Sequence, residues 1–355
     1  MPRTVNASRR RPRRAGYALL ALAVAAVGAL ALAPAQASSS AADAVVAKSS
    51  VTRLVPGRGL SSGPRVTLVK LKISPGTYYV QMPVTLQHTN PDPVDYVDVS
   101  LVCKDNYGHA NQIGQAVNTL HGTTFTLQPR LYVTFTGSIR GVCAGYAYMG
   151  RIQGSPGASP SSRTIRVTSA RLIVTKASTA ARETIRFKGN TAANNHPYTG
   201  HSSRVSVGVH FHAAPVDFTV DTTKASSFSL AGDVFMTACT SPGGSQDPTT
   251  HGVNLCASVF KVIKAGPQVR TRLMVRQYAP DGVTACRTLV VPLTTTTFHI
   301  SSKRHHLPVE LNGTLTLPPM AGCGSHAQAW TEVYVESAPS VVVHFPSSNT
   351  AVVPI

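Results

Sequence analysis

Charge is scarce in this chain, and negative charge scarcer still. Asp, Glu, Lys and Arg together make up 13% of the 355 residues, with 14 acidic side chains against 33 basic ones. That is about half the usual charged fraction and excludes a coiled coil or a long solvent-washed helix. Aromatic residues are 6%, with one Trp. No Cys-x-x-Cys spacing occurs, which removes thiol-redox motifs and zinc ribbons. No Gly-x-Ser-x-Gly elbow occurs; Gly154-Ser155-Pro156-Gly157 and Gly243-Gly244-Ser245 read as loops. No glycine-rich phosphate loop precedes a helix, and no helical period runs past two turns. Disorder throughout is excluded as well, because 43% of the residues are apolar.

One long apolar run is present, from Ala15 to Ala33, behind Arg9, Arg10, Arg11, Arg13 and Arg14 and ahead of Ala35-Gln36-Ala37. A charged start, an apolar centre and a small-x-small end are the parts of a secretory signal peptide, so residues 1–37 are expected to be cleaved. The rival is an uncleaved anchor, since 19 apolar residues approach the length that spans a bilayer. Removing residues 1–37 takes away six Arg and no acid, leaving 318 residues with 27 basic and 14 acidic side chains, a charge of +13. The mature form has no transmembrane segment in this reading, and its expected location is secreted or extracellular. A basic exported surface suits polyanions, and the expected partner is an anionic envelope polymer, a glycan or another protein. Nucleic acid is not an expected partner, because no recognition helix is present.

The composition that remains is built for strands and turns, with 27 Gly and 25 Pro. Val80, Met82, Val84 and Leu86 alternate with polar residues, as do Val97, Val99, Leu101 and Cys103. Period 2 places one face of each strand in a core. Ser74-Pro75-Gly76, Ser155-Pro156-Gly157 and Pro280-Asp281-Gly282 punctuate the runs. A faint repeat joins the halves. Thr123–Leu127, a strand and Cys143 ahead of Tyr146 and Tyr148 are matched by Thr296–Ile300, a strand and Cys323 ahead of Trp330 and Tyr334. The expected fold is all-β, with two tandem antiparallel β-sandwich domains; in general shape it resembles tandem immunoglobulin-like modules of bacterial exported proteins. The expected division is a flexible segment at 38–63, a first sandwich at 64–177, a connection with strands of the second unit at 178–224, and a second sandwich at 225–355.

Cys103, Cys143, Cys239, Cys256, Cys286 and Cys323 form an even set, which in an exported chain reads as three disulfides. Two cysteines lie in the first half and four in the second, which narrows the fifteen connectivities, and the expected pairing is Cys103–Cys143, Cys239–Cys256 and Cys286–Cys323. His210 and His212 lie two apart on an alternating strand and project from one face. With His196 or His201 as a third ligand they would take Cu(II) or Zn(II); no other cofactor is expected. Asp92, Asp95, Asp98 and Asp105 cluster without the spacing of a calcium loop. Tyr146 with Tyr148, and Trp330 with Tyr334, each share a strand face and are the candidate ligand platform. The expected function is therefore non-enzymatic: a binding or structural module at or near the cell envelope, directed at anionic polymers or glycans. The alternative is a secreted Cu/Zn-binding protein, and the further alternative a secreted hydrolase whose catalytic residues are scattered.

Overall fold

The computed structural model describes residues 44–48, 52–54, 64–88, 95–108, 110–119, 124–136, 140–150, 165–177, 185–189, 202–238, 266–300, 306–338 and 340–355. All regular structure among them is strand. In chain order these are β1 (Ala44–Lys48), β2 (Thr52–Leu54), β3 (Val66–Ile73), β4 (Gly76–Gln81), β5 (Val84–His88), β6 (Asp95–Lys104) and β7 (Ala110–Thr119). Then come β8 (Thr124–Leu127), β9 (Arg130–Phe135), β10 (Gly141–Gly150), β11 (Ile165–Lys176), β12 (Arg186–Gly189), β13 (Ser202–Val205) and β14 (His210–Thr219). The last are β15 (Ser226–Ala238), β16 (Gln268–Tyr278), β17 (Ala285–Val290), β18 (Thr296–His299), β19 (His306–Leu317), β20 (His326–Val335) and β21 (Val341–Pro354).

The strands form four antiparallel sheets. Sheet 1 runs β8-β5-β11-β4-β9, with β1 and β2 also paired to β11, and sheet 2 runs β3-β10-β6-β7. Sheet 3 runs β12-β21-β15-β19 with β13 on β21, and sheet 4 runs β14-β20-β16-β17 with β18 on β16. Residues 44–48 and 52–54, expected to be part of a flexible segment, are instead ladder strands against Arg171–Thr175 and Ile165–Val167. Their backbone groups find partners along the long β11, which the sequence pattern of the segment itself does not announce.

Sheets 1 and 2 close on one core, in which Val80, Met82, Leu86, Val97, Leu101, Leu131 and Leu172 are buried together. Sheets 3 and 4 close on another, built from Phe218, Leu230, Leu273, Leu307, Val333 and Val343. Each buried Leu or Val contributes roughly 1.5–3 kcal/mol relative to exposure. Gly145 marks a tight crossing in the first core. A Cβ there would collide with Met82 Sδ, so glycine lets sheet 2 approach sheet 1. Cys103 and Cys143 face each other in register on neighbouring strands β6 and β10, with Cα atoms 4.0 Å apart. Their bridge therefore lies within one sheet, unlike the inter-sheet bridge of antibody domains. Cys286 bonds to Cys323, and Cys239 and Cys256 lie outside the described residues. Each described bridge closes a loop near 40 residues, about 4 kcal/mol in the chain-entropy model.

The two sandwiches join through the outward faces of sheets 1 and 3. Tyr79 and Tyr132 of sheet 1 hold the ring of Phe187, with centroids 6.0 and 6.3 Å away, and Ala177, Ile185 and Ala351 close the patch. Beside it, Arg130 on β9 forms an ion pair with Asp233 on β15, and neither side chain is more than 1% exposed. Arg130 Nη2 also donates to Asn312 Oδ1 at 3.0 Å, and Asn349 Nδ2 donates to Asp233 Oδ2 at 2.9 Å. Burial raises the Asp233 carboxyl, and the guanidinium and the Asn349 amide oppose that rise. Sheet 2 reaches the second sandwich as well, through its edge strand β7, which lies beside β19 and β21 of sheet 3.

Removing one member of a buried pair strands the other charge without water, at about 3–5 kcal/mol. Asp233→Ala is expected to lower unfolding stability by that amount in urea titration. The double variant Arg130→Met/Asp233→Leu should recover most of the loss. A single variant as stable as the wild type would show that the pair does not hold the sandwiches together.

Candidate functional site

Four side chains singled out in the sequence, His210, His212, Trp330 and Tyr334, meet on the outer face of sheet 4. Pairing register builds the face in rows. His210, Tyr334 and Arg270 make one row, followed by His212, Glu332 and Arg272, then Trp330 and Met274. Asp217, Gln328, Arg276 and Thr288 come next, and Tyr278 stacked on His326 at 4.7 Å ends the series. The rows depend on a bulge in β14. Ala213 pairs with Thr331 and Val216 with Ala329, so one extra residue is inserted, around Ala214 at φ 46°. Before the bulge the even positions face solvent, and after it the odd ones do, which brings Asp217 into line with the histidines.

Two of the three arginines on this face are paired with carboxylates, and the third, Arg276, donates from Nε to Thr288 Oγ1 at 3.3 Å. Glu332 is buried, and its Oε1 accepts from Arg272 Nε at 2.7 Å while Oε2 lies 3.2 Å from His210 Nδ1. Arg270 Nη1 stands 3.4 Å from Glu336 Oε1, and its guanidinium lies over the Tyr334 ring at 4.9 Å. Asp217 Oδ1 accepts from Gln328 Nε2 at 3.0 Å and sits 3.1 Å from His326 Nε2. His210 stacks on Tyr334 at 4.4 Å. His212 lies on Trp330, also at 4.4 Å, and its pKa is lowered by burial, then by the charge of Arg276 and by His210, against the pull of Glu332.

One expectation needs correction here. Trp330 is 1% exposed, because His212 covers one part of its ring and the Arg276 guanidinium, 5.3 Å from the centroid, another. The indole is a floor beneath the polar groups, while the half-buried rings of Tyr334 and Tyr278 are the ones presented to solvent. Both histidines are occupied by aromatic neighbours. His196 and His201, the expected third ligands, lie outside the described residues. Among the described residues no three His, Cys, Asp or Glu side chains gather to hold a metal ion.

Tyr146 and Tyr148, the other half of the expected platform, lie on the outer face of sheet 2, in the other sandwich. Tyr146 pairs with Ser100 and Tyr148 with Asp98 across β10 and β6. The Arg65 guanidinium sits 3.9 Å over the Tyr146 ring. Asp98 is 2% exposed and accepts a hydrogen bond from Tyr148. Burial pushes its carboxyl up to about 7, with the Tyr148 bond and the Arg65 charge opposing. Of the other aspartates considered for calcium, the Asp95 side chain lies outside the described ones. Asp92 lies outside the described residues, and Asp105 Oδ1 caps its own turn by accepting Tyr107 N–H at 2.9 Å.

The sequence reading missed Arg270, Arg272, Arg276, Tyr278, Glu332, His326 and Asp217. All but Asp217 were accessible from alternation, since Arg270, Arg272, Arg276 and Tyr278 occupy the polar phase of β16 and His326 and Glu332 that of β20. Asp217 is on this face only because of the bulge.

No protein-family model and no curated protein matches the chain. Among solved structures, the N-terminal CBM22-1-CBM22-2 tandem domain of Paenibacillus barcinonensis Xyn10C aligns at 9% identity over 88% of this chain and 93% of its own, with a TM-score of 0.24. Infectious bursal disease virus, Gx strain, aligns at 11% identity over 88% and 72%, with a TM-score of 0.28. The VP2 subviral particle of infectious bursal disease virus aligns at 10% over 87% and 76%, with a TM-score of 0.24. Superpositions this loose leave the side chains of the chain itself as the basis for function.

Asp98 gives a test of the sheet 2 face. Its carboxyl titrates near 7 when folded and near 3.8 as an ordinary aspartate, so the native state holds a proton that the unfolded chain releases between those values. Stability should therefore fall as pH rises from about 4 to 7 and stay reduced above it. Asp98→Asn, which keeps an acceptor for Tyr148, should remove this slope and raise stability at pH 8 by up to about 4 kcal/mol. Thermal unfolding of both forms between pH 4 and 8 decides it; parallel profiles would mean Asp98 is ionised throughout.

Proposed function

We propose that the protein is an exported, non-enzymatic binding module that takes a glycan chain along the outer face of sheet 4. The observation that supports this most directly is the mixed ladder of that face. Tyr334 and Tyr278 stand at its two ends, with Arg270 beside Tyr334 and Arg272 and Arg276 between them on β16. Eight residues separate their rows along β16, an end-to-end span of roughly 26 Å at ~3.3 Å per residue. That length suits several consecutive sugar rings rather than one small molecule.

The chemistry suits a polyhydroxylated, weakly charged partner. Sugar rings carry apolar C–H faces that pack on aromatic rings, and hydroxyls that take hydrogen bonds from planar donors. Arg270 and Arg272 are oriented by Glu336 and Glu332, so their remaining N–H groups are held in place before a ligand arrives. The same pairing neutralises much of the charge, which favours hydroxyls over bare anions. A sheet face also holds these groups more rigidly than loops do. Disulfides Cys103–Cys143 and Cys286–Cys323 fit an oxidising, extracellular setting, and no helix of the described residues is long and apolar enough to cross a membrane.

Native affinity electrophoresis through a panel of soluble neutral polysaccharides tests the reading. At least one should retard the protein. Tyr334→Ala and Arg272→Gln should each weaken that retardation about tenfold, which corresponds to ~1.4 kcal/mol. No retardation by any neutral polysaccharide would sink the proposal.

A further inference from the structure

The outer face of sheet 2, in the first sandwich, carries a different chemistry. On the outer face of sheet 2, Lys72, Val142 and Lys104 form one row, and Lys70, Ala144 and Val102 the next. Lys70, Lys72 and Lys104 are exposed, and among the described residues no carboxylate pairs with them. Lys70 and Lys72 are two residues apart on β3, about 7 Å along the strand, and Lys104 stands across β10 from Lys72, about 10 Å away. Tyr146 and Tyr148 continue the same face, with Arg65 laid over Tyr146 and 3.4 Å from Ser100 Oγ through Nη2. Asp98 is the one carboxylate among the described side chains of these strands, and it is buried beneath the tyrosines. Unlike sheet 4, where Glu332 and Glu336 pair with Arg272 and Arg270, this face presents three lysines with no carboxylate partner among the described residues, beside half-buried rings.

We propose that the outer face of sheet 2 is a docking surface for an acidic polysaccharide, with Lys70, Lys72 and Lys104 meeting its carboxylates while Tyr146 and Arg65 pack against a sugar ring. The occupant follows from complementarity. Exposed ammonium groups on one lattice of strands attract a polyanion, and an aromatic ring next to them selects an anion borne on sugar rather than on a bare phosphate chain or a lipid head group. This site is independent of the sheet 4 reading and lies in the other sandwich, so chains bound at the two sites would be joined by the protein.

The test uses the protein from residue 38 onward with polygalacturonate as the probe, read by biolayer interferometry at several salt concentrations. The wild type is expected to bind, with affinity falling as salt rises. Lys70→Gln/Lys72→Gln/Lys104→Gln should weaken binding tenfold or more and flatten the salt dependence. Tyr146→Ala should weaken it severalfold while leaving the salt dependence unchanged, a split that charge alone does not produce. Arg272→Gln on sheet 4 should have no effect, which separates failure here from failure of the neutral-glycan reading. Circular dichroism melts establish that each variant is folded. Absence of binding to polygalacturonate, or binding unchanged in the triple variant, overturns the proposal. So does equally tight binding to phosphatidylglycerol vesicles that ignores Tyr146→Ala, since that would make the partner an anionic membrane.

Discussion

A single buried ion pair sets the conditions for the rest of the molecule. Arg130 and Asp233 lie on different sandwiches, are both removed from water, and share their buried surroundings with Asn312, Asn349, Tyr79 and the Glu310 carboxyl. Charges so placed are tolerated only when the geometry around them is held closely. They therefore act less as glue than as a register pin, while the ring packing of Phe187 against Tyr79 and Tyr132 supplies apolar contact around them. Sliding sheet 1 over sheet 3 by one strand spacing would leave both charges unpaired, and no apolar contact would compensate.

From that constraint follows the placement of everything exposed. Sheets 1 and 3 cover part of each other's outward faces around Phe187 and Arg130, and the aromatic residues suggested by the sequence lie on the outer faces of sheets 2 and 4. These two faces carry the platform residues that the sequence suggested, two on one and two on the other. They differ in charge balance. Each cation row on sheet 4 has a carboxylate from β14, β20 or the turn after β20, whereas the lysines of β3 and β6 have none among the described residues.

Alternation made the strands legible, and with them the inward sets such as Val97, Val99, Leu101 and Cys103, because a pleated strand leaves no choice about which side chains share a face. It also put His210 with His212 and Trp330 with Tyr334. It did not show that these two pairs stack on each other, since cross-strand register is a property of two segments more than 100 residues apart. Nor did it show that Trp330 is covered, because a ring on the outward phase of a strand reads as exposed until its neighbours are known. The bulge at Ala214 is a further example. An extra residue in β14 has meaning only against the partner β20, so the alignment of Asp217 with Gln328 and His326 left no signal in the local pattern.

By itself, then, the chain determined its class: period-2 runs, Gly and Pro punctuation and scarce charge permit sheets and little else, and those are local properties of backbone and burial. Tertiary structure decided which faces are buried against each other, which aromatic rings meet solvent, and which arginines are neutralised. Those outcomes depend on register and layer packing, where a shift of one residue reverses a face, and no short stretch of sequence encodes them alone.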